Sequence, residues 1–114
     1  MVESQETEKD IYGRAFPKKD GAYYVPRTAA DCVVVRPKDG KHEVLLITRA
    51  KFPSVGKKAF PGGHIDYNED PRDAAIRELK EECSIDGTNP VLFTVRGKPD
   101  RDARYHMISI FYFV

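Results

Sequence analysis

The sequence predicts an α/β fold, a mixed β-sheet flanked by a single helix. Runs rich in Val, Ile, Leu, Phe and Tyr recur along the chain and read as strands: "AADCVVVR", "HEVLLITRA", "NPVLFTVRG" and "YHMISIFYFV". Between the second and third of them lies one stretch, "PRDAAIRELKEEC", whose apolar residues recur at helical spacing.

A chain of 114 residues is sized for one domain with a modest core. Its apolar share of 40% and charged share of 32% are those of a folded globular protein. The net charge of +1 excludes the broad basic footprint that duplex nucleic acid requires, so any phosphate it binds must be handled locally. The polar N-terminus "MVESQETEKD" has no apolar core after a basic start, and no run of 18 apolar residues occurs; this argues against secretion and membrane insertion and for a cytoplasmic or nuclear protein. Cys32 and Cys83 have no metal-ligand spacing and are read as buried, reduced thiols.

Residues 1–20 are expected to form a flexible tail and residues 21–114 the domain. "AYYVPR" reads as a short edge strand closed by Pro26. "AADCVVVR" and "HEVLLITRA" are joined by "PKDGK", whose Asp39-Gly40 pair predicts a hairpin turn. "KFPSVGKKAFPGG" is broken by Pro and Gly and reads as a loop with room for a short strand over Lys58 to Phe60. Asp70 before Pro71 is a helix start, because the Asp side chain caps free N–H groups and proline at the first helical position loses no hydrogen bond. The helix should run from about Pro71 to Cys83, burying Ala75, Ile76, Leu79 and Cys83 against the sheet.

Glu78, Glu81 and Glu82 then stand at i, i+3 and i+4, which lines their carboxylates along one face within reach of a common point. Like charges at those spacings cost about 0.2–0.5 kcal/mol per pair, and the C-terminal end of a helix is unfavourable for anions. A solvated acidic face, partly offset by Arg77 and Lys80, accounts for such a pattern in an arbitrary sequence. The Gly62-Gly63 turn upstream, a further carboxylate at Glu69 and the arginine adjoining Glu78 point instead to a hard divalent cation, which takes oxygen ligands and substrate phosphates.

From Gly63 to Ile85 the chain resembles the Nudix box, the signature of hydrolases acting on nucleoside diphosphates linked to another moiety. Gly63, Glu69, the Arg77-Glu78 pair, Leu79, the Glu81-Glu82 pair and Ile85 occupy the matching positions. Ser84 departs, standing where the family has its last glycine. The resemblance implies an α/β/α sandwich with a short C-terminal part, and Mg²⁺ or Mn²⁺ as cofactor. It implies metal ligation by Glu78, Glu82 and the main-chain carbonyl of Gly62, with Glu81 supporting the metal directly or through water. Glu78 and Glu81 become the catalytic carboxylates, Glu78 the base if the base lies in the box, while Gly63, Glu69 and Arg77 take structural roles. No glutamate follows Glu82, so a base from a later loop is absent, is Asp86, Asp100 or Asp102, or comes from outside this chain.

Beyond the box, "VLLITRAKFPSVGKKAFPGGHID" and "GKPDRDARYHMISIFYFV" resemble the ADP-ribose pyrophosphatase branch. That implies a small nucleotide substrate, with Arg49 and Arg104, or Arg101, on its phosphate or ribose oxygens. Phe60 and Tyr105 could stack on an adenine, but aromatic residues at strand positions are more often core or sheet-face packing. His64 and His106 are expected to be hydrogen-bonded structural residues, because Mg²⁺ does not favour imidazole. Hydrolysis of nucleoside triphosphates or diadenosine polyphosphates is the alternative activity, and a nucleotide-binding regulatory module without turnover the alternative class. The apolar run "ISIFYFV" at the end of the sequence implies a truncated form or a homodimer in which a second chain covers the sheet.

Overall fold

The computed structural model describes residues 6–9, 13, 15–19, 22–23, 25–50 and 55–114. Strands β1 (Glu6–Lys9), β2 (Ala15–Lys19) and β3 (Ala22–Tyr23) form a three-stranded antiparallel sheet. Part of the segment predicted as a flexible tail therefore carries backbone pairing. A ladder satisfies main-chain N–H and C=O groups whatever the side chains are, so low hydrophobicity is a poor guide to it. The remainder of that segment, Tyr24 of the expected edge strand and residues 51–54 of the expected loop lie outside the described residues.

β4 (Arg27–Val33) runs through the predicted "AADCVVVR" strand. β5 (Val35–Lys38) and β6 (Lys41–Val44) form the predicted hairpin, with Lys38 opposite Lys41 and only Asp39 and Gly40 between them. Both turn residues have positive φ, 50° and 75°, the geometry whose twist matches a two-residue hairpin. β7 (Ile47–Thr48) pairs with β8 (Lys58–Ala59).

β9 (Gly62–His64), α1 (Pro71–Cys83), β10 (Val91–Arg96) and β11 (Met107–Phe113) complete the chain. The central sheet has the order β10-β11-β4-β9, with β11 and β4 parallel and the outer pairs antiparallel, so it is mixed as expected. β9 is a difference from the sequence, where Gly62 and Gly63 read as a turn. The two glycines extend the chain because their partner is a sheet edge rather than solvent.

α1 begins and ends where the sequence places it. Asp70 accepts from the Arg72 N–H at 2.8 Å, and Ser84 closes the helix in the left-handed region, φ 55°. The helix buries Ala74, Ala75 and Leu79 on Ala30 and Cys32 of β4 and Tyr112 of β11. Ile76 and Cys83 are only half-buried, and Ala74 takes the innermost place on the stripe instead. Cys32 is buried, its thiol donating to the Ala75 carbonyl at 3.1 Å, and both cysteines are free thiols. Among the described residues one helix covers one face of the central sheet, and no helix is long and apolar enough to cross a membrane.

Candidate active site

Alternation along β4 and β11 divides the sheet's residues. Ala30, Cys32, Ile110 and Tyr112 face α1, while Ala29, Asp31, Met107, Ser109 and Phe111 line a cavity of about 760 Å³ on the other side. β9 lies at the edge of this cavity, with Gly62 opposite Asp31 and Gly63 opposite Ala30. A Cβ on Gly63 would come within 2.6 Å of Glu78 Oε1. Glycine here lets a helix carboxylate lie directly on the strand.

The glutamates do not converge on one point as the helical spacing suggests. Arg77 divides them. Its guanidinium meets Glu69 at two points (2.7 and 2.9 Å), Glu78 Oε1 at 2.9 Å and the two oxygens of Glu81 at 3.4 and 3.3 Å, and it also donates to the His64 carbonyl at 3.1 Å. Glu69 is held well down, at a pKa of about 2, by its hydrogen bonds from Arg77 and from the Asp66 N–H. Glu81 stays exposed on the Arg77 side, away from the cavity.

Glu82 is the box glutamate that lines the cavity. Gly62 N–H donates to its Oε1 at 3.2 Å, and it shares a hydrogen bond with Glu78. Although the residue as a whole is exposed, its carboxyl sits against the β9 backbone; this partial burial and the neighbouring Glu78 carboxyl push its pKa up to about 7.

That pair tests the site for a cation. Two repelling carboxylates beside the Gly62 backbone form an all-oxygen donor set that a hard divalent ion relieves. Among the described residues no three carboxylate, imidazole or thiol groups are placed to hold a metal ion by themselves. A cation would therefore take Glu78, Glu82, main-chain oxygen and phosphate oxygens of a nucleotide, the kind of mixed set that suits Mg²⁺.

Arg49 and Arg104 both line the cavity, and so does Arg101. Arg104 is committed to Asp102 through two bonds, 3.1 and 3.0 Å, which hold Asp102 at a pKa of about 2. Its guanidinium also stands 5.0 Å from the centre of the Tyr105 ring, with that of Arg27 5.1 Å from the same point. Arg101 instead reaches the sheet, donating to Ser109 Oγ at 2.6 Å. Phe60 packs edge-on against Phe111 at 5.9 Å. His64 bonds the Tyr105 hydroxyl at 2.9 Å and His106 the Gly97 carbonyl at 2.8 Å, so both are hydrogen-bonded within the protein.

Asp31 escaped sequence reasoning. Burial raises its pKa to about 6 against the opposing effects of Arg101, a Ser109 hydrogen bond and Arg49. The signal was a charged residue in mid-strand, with Ala29 and Ala30 before it and Cys32 and Val33 after it, a place where a carboxylate needs a reason.

Comparison with known proteins agrees with this geometry. The chain is 38% identical over 102 residues to the ADP-ribose pyrophosphatase of Methanocaldococcus jannaschii, covering 90% of this chain and 58% of that protein. It is 32% identical over 95 residues to the ADPR responsive transcriptional repressor NtrR of Acinetobacter baylyi, covering 80% of this chain and 37% of the repressor. The chain thus spans about half the length of these relatives. Among solved structures, the NUDIX domain of Shewanella oneidensis NrtR complexed with ADP ribose superposes with a TM-score of 0.75 at 26% identity, over 84% of this chain and 64% of that one. The NUDIX domain family model matches residues 25–114. With its helix, its mixed sheet and its box residues in these places, the chain belongs to the NUDIX domain family.

Proposed function

We propose that this protein is a metal-dependent hydrolase of the diphosphate linkage in a nucleoside diphosphate derivative, with ADP-ribose, cleaved to AMP and ribose 5-phosphate, as its substrate. The observation that carries this is the Glu78–Glu82 pair at the cavity edge, set on the Gly62 backbone with cationic side chains across the opening. The ADP-ribose pyrophosphatase relative supports the choice of substrate.

A bound Mg²⁺ or Mn²⁺ would neutralise the diphosphate and make its attacking water more acidic. Glu78, Glu82 and the Gly62 carbonyl would hold it. Arg77 keeps Glu78 oriented and ties Glu69 of the preceding loop to the helix. The Glu78–Glu82 pair, beside the place where the water would lie, takes its proton. Glu81, bound to Arg77 and exposed, steadies the guanidinium from outside. Arg49, Arg101 and Arg104 face the negative charge of the substrate, Arg104 through what Asp102 leaves of its fork.

AMP appearing from ADP-ribose in Mg²⁺ and not in EDTA tests this reading, with nucleoside triphosphates and diadenosine polyphosphates run alongside. Faster turnover of either rival class would transfer the assignment to it. The similarity to a transcriptional repressor favours one second reading, a nucleotide-sensing domain without turnover. Metal-dependent binding of ADP-ribose with no product would establish it.

A further inference from the structure

The hydrolysis proposed above gives Asp31 no task, yet its position is unusual. It sits in mid-strand on the cavity face of β4, flanked there by Ala29 and by Met107, Ser109 and Phe111 of the parallel β11. Ser109 is the one buried polar side chain among the described residues, 5% exposed. Its oxygen accepts from Arg101 Nη2 at 2.6 Å, and Asp31 is its other partner. A carboxylate can only accept, so the single hydroxyl proton of Ser109 points to Asp31. Arg101, Ser109 and Asp31 thus form a directed chain from the loop before β11 into the sheet.

This chain fixes the Asp31 carboxyl while using a fraction of its capacity, because a carboxylate has about four acceptor positions and Ser109 takes one. The remainder faces a cavity whose other walls include Phe60, Phe111 and Met107. Asp31 also pairs in register with Gly62, whose N–H meets Glu82. Whatever rests on Asp31 is therefore next to the diphosphate, too near for a nucleobase, which a whole sugar separates from the phosphate. A group that offers two adjacent donors on a small, otherwise apolar ring fits, and a pentose is such a group.

Resting on the hydrolase reading, we propose that Asp31, fixed by Ser109 and Arg101, is a specificity-determining acceptor for the vicinal hydroxyls of the pentose adjoining the diphosphate. Either ribose of the substrate could supply those hydroxyls, and the test separates them. Calorimetry in Mg²⁺ compares ribose 5-phosphate with 2-deoxyribose 5-phosphate, and AMP with its 2′-deoxy form, on the wild type, Asp31→Asn and Ser109→Ala.

The expected result is a ribo-over-deoxy preference of about tenfold or more in one pair, the size of a hydrogen bond to a charged group. It falls toward unity in Asp31→Asn and is reduced in Ser109→Ala. A preference in the first pair assigns the terminal ribose, and in the second the nucleoside ribose. A wild type without either preference, or a preference that survives Asp31→Asn, overturns the proposal. So does an Asp31→Asn variant whose main change is a higher Mg²⁺ requirement, which would make Asp31 a cation ligand. Turnover of ADP-ribose by the same wild-type sample separates the two readings: no turnover with the preference intact defeats the hydrolase alone, and turnover without the preference defeats the subsite alone.

Discussion

Arg77 grips Glu69 at two points, Nε on Oε2 at 2.7 Å and Nη2 on Oε1 at 2.9 Å, and so clamps the loop before α1 to the second turn of the helix. Replacing Arg77 by Met leaves Glu69, Glu78 and Glu81 facing one another without their shared cation. The variant should melt at lower temperature and lose about 10- to 100-fold in activity, the usual cost of removing a partner that orients a metal ligand. The pH dependence has a definite sign. The depressed pKa of Glu69 means that its contribution is complete above pH 4.5 and is lost as pH falls toward about 2. Acid titration of wild type and variant, followed by circular dichroism, should show that this part of the acid limb disappears with Arg77.

Glu82→Gln should reduce metal-dependent turnover by at least about 100-fold while the fold persists. Its stability should move the other way. A carboxyl whose pKa is raised to about 7 destabilises the metal-free fold as pH rises from 4.5 through 7, so the variant should be the more stable of the two at pH 7.5 and lose that advantage below about pH 4.5. Urea denaturation in EDTA at both pH values checks this.

Asp31→Asn should also stabilise the metal-free protein, by about 1–3 kcal/mol at pH 8, since a shift of about two units corresponds to roughly 3 kcal/mol at most. The gain should shrink as pH falls from 6 toward 3.8, where Asp31 itself becomes neutral.

Gly63→Ala places a methyl group in the position of the Glu78 carboxylate. Displacing that carboxylate by an ångström or so should cost about 100-fold in kcat. Steady-state kinetics, with a crystal structure of the variant to locate Glu78, would decide it.

Ser84→Gly should raise stability by about 0.5–1 kcal/mol and leave kcat/KM unchanged, because Ser84 holds a left-handed conformation that costs an L-residue and suits glycine. Ser84→Val should do the reverse. Thermal melts of the three proteins give the order directly.

Much of this site was legible in the sequence because the signals are local. Asp70-Pro71 and the apolar stripe set the ends of α1 correctly, and Asp39-Gly40 set the hairpin. The structural roles of Glu69 and Arg77 were what the resemblance to the Nudix box implied. What the sequence hid depends on contacts between distant segments. Helical spacing put Glu78, Glu81 and Glu82 on one face, but only the fold shows that Arg77 takes Glu81 to one side while β9 takes Glu82 to the other. A pair of glycines reads as a turn until a sheet edge is available to pair with it. Asp31 and Ser109 are ordinary residues in separate strands, and their hydrogen bond exists only because β4 and β11 lie side by side. Arg101 and Arg104 are three positions apart in the same loop, and nothing in their order shows which would reach the sheet and which would be held by Asp102.

The parallel pairing of β4 with β11 joins segments about 80 residues apart, and it sets the order in which the molecule can be assembled. During synthesis β4, β9 and the glutamate-bearing helix leave the ribosome well before β11 does. Until β11 inserts between β10 and β4, the cavity has no floor on that side and Asp31 lies on an open strand edge. Folding of this domain should therefore be slow for its size, and if the proposed site binds nucleotide, that affinity should appear only once β11 is in place.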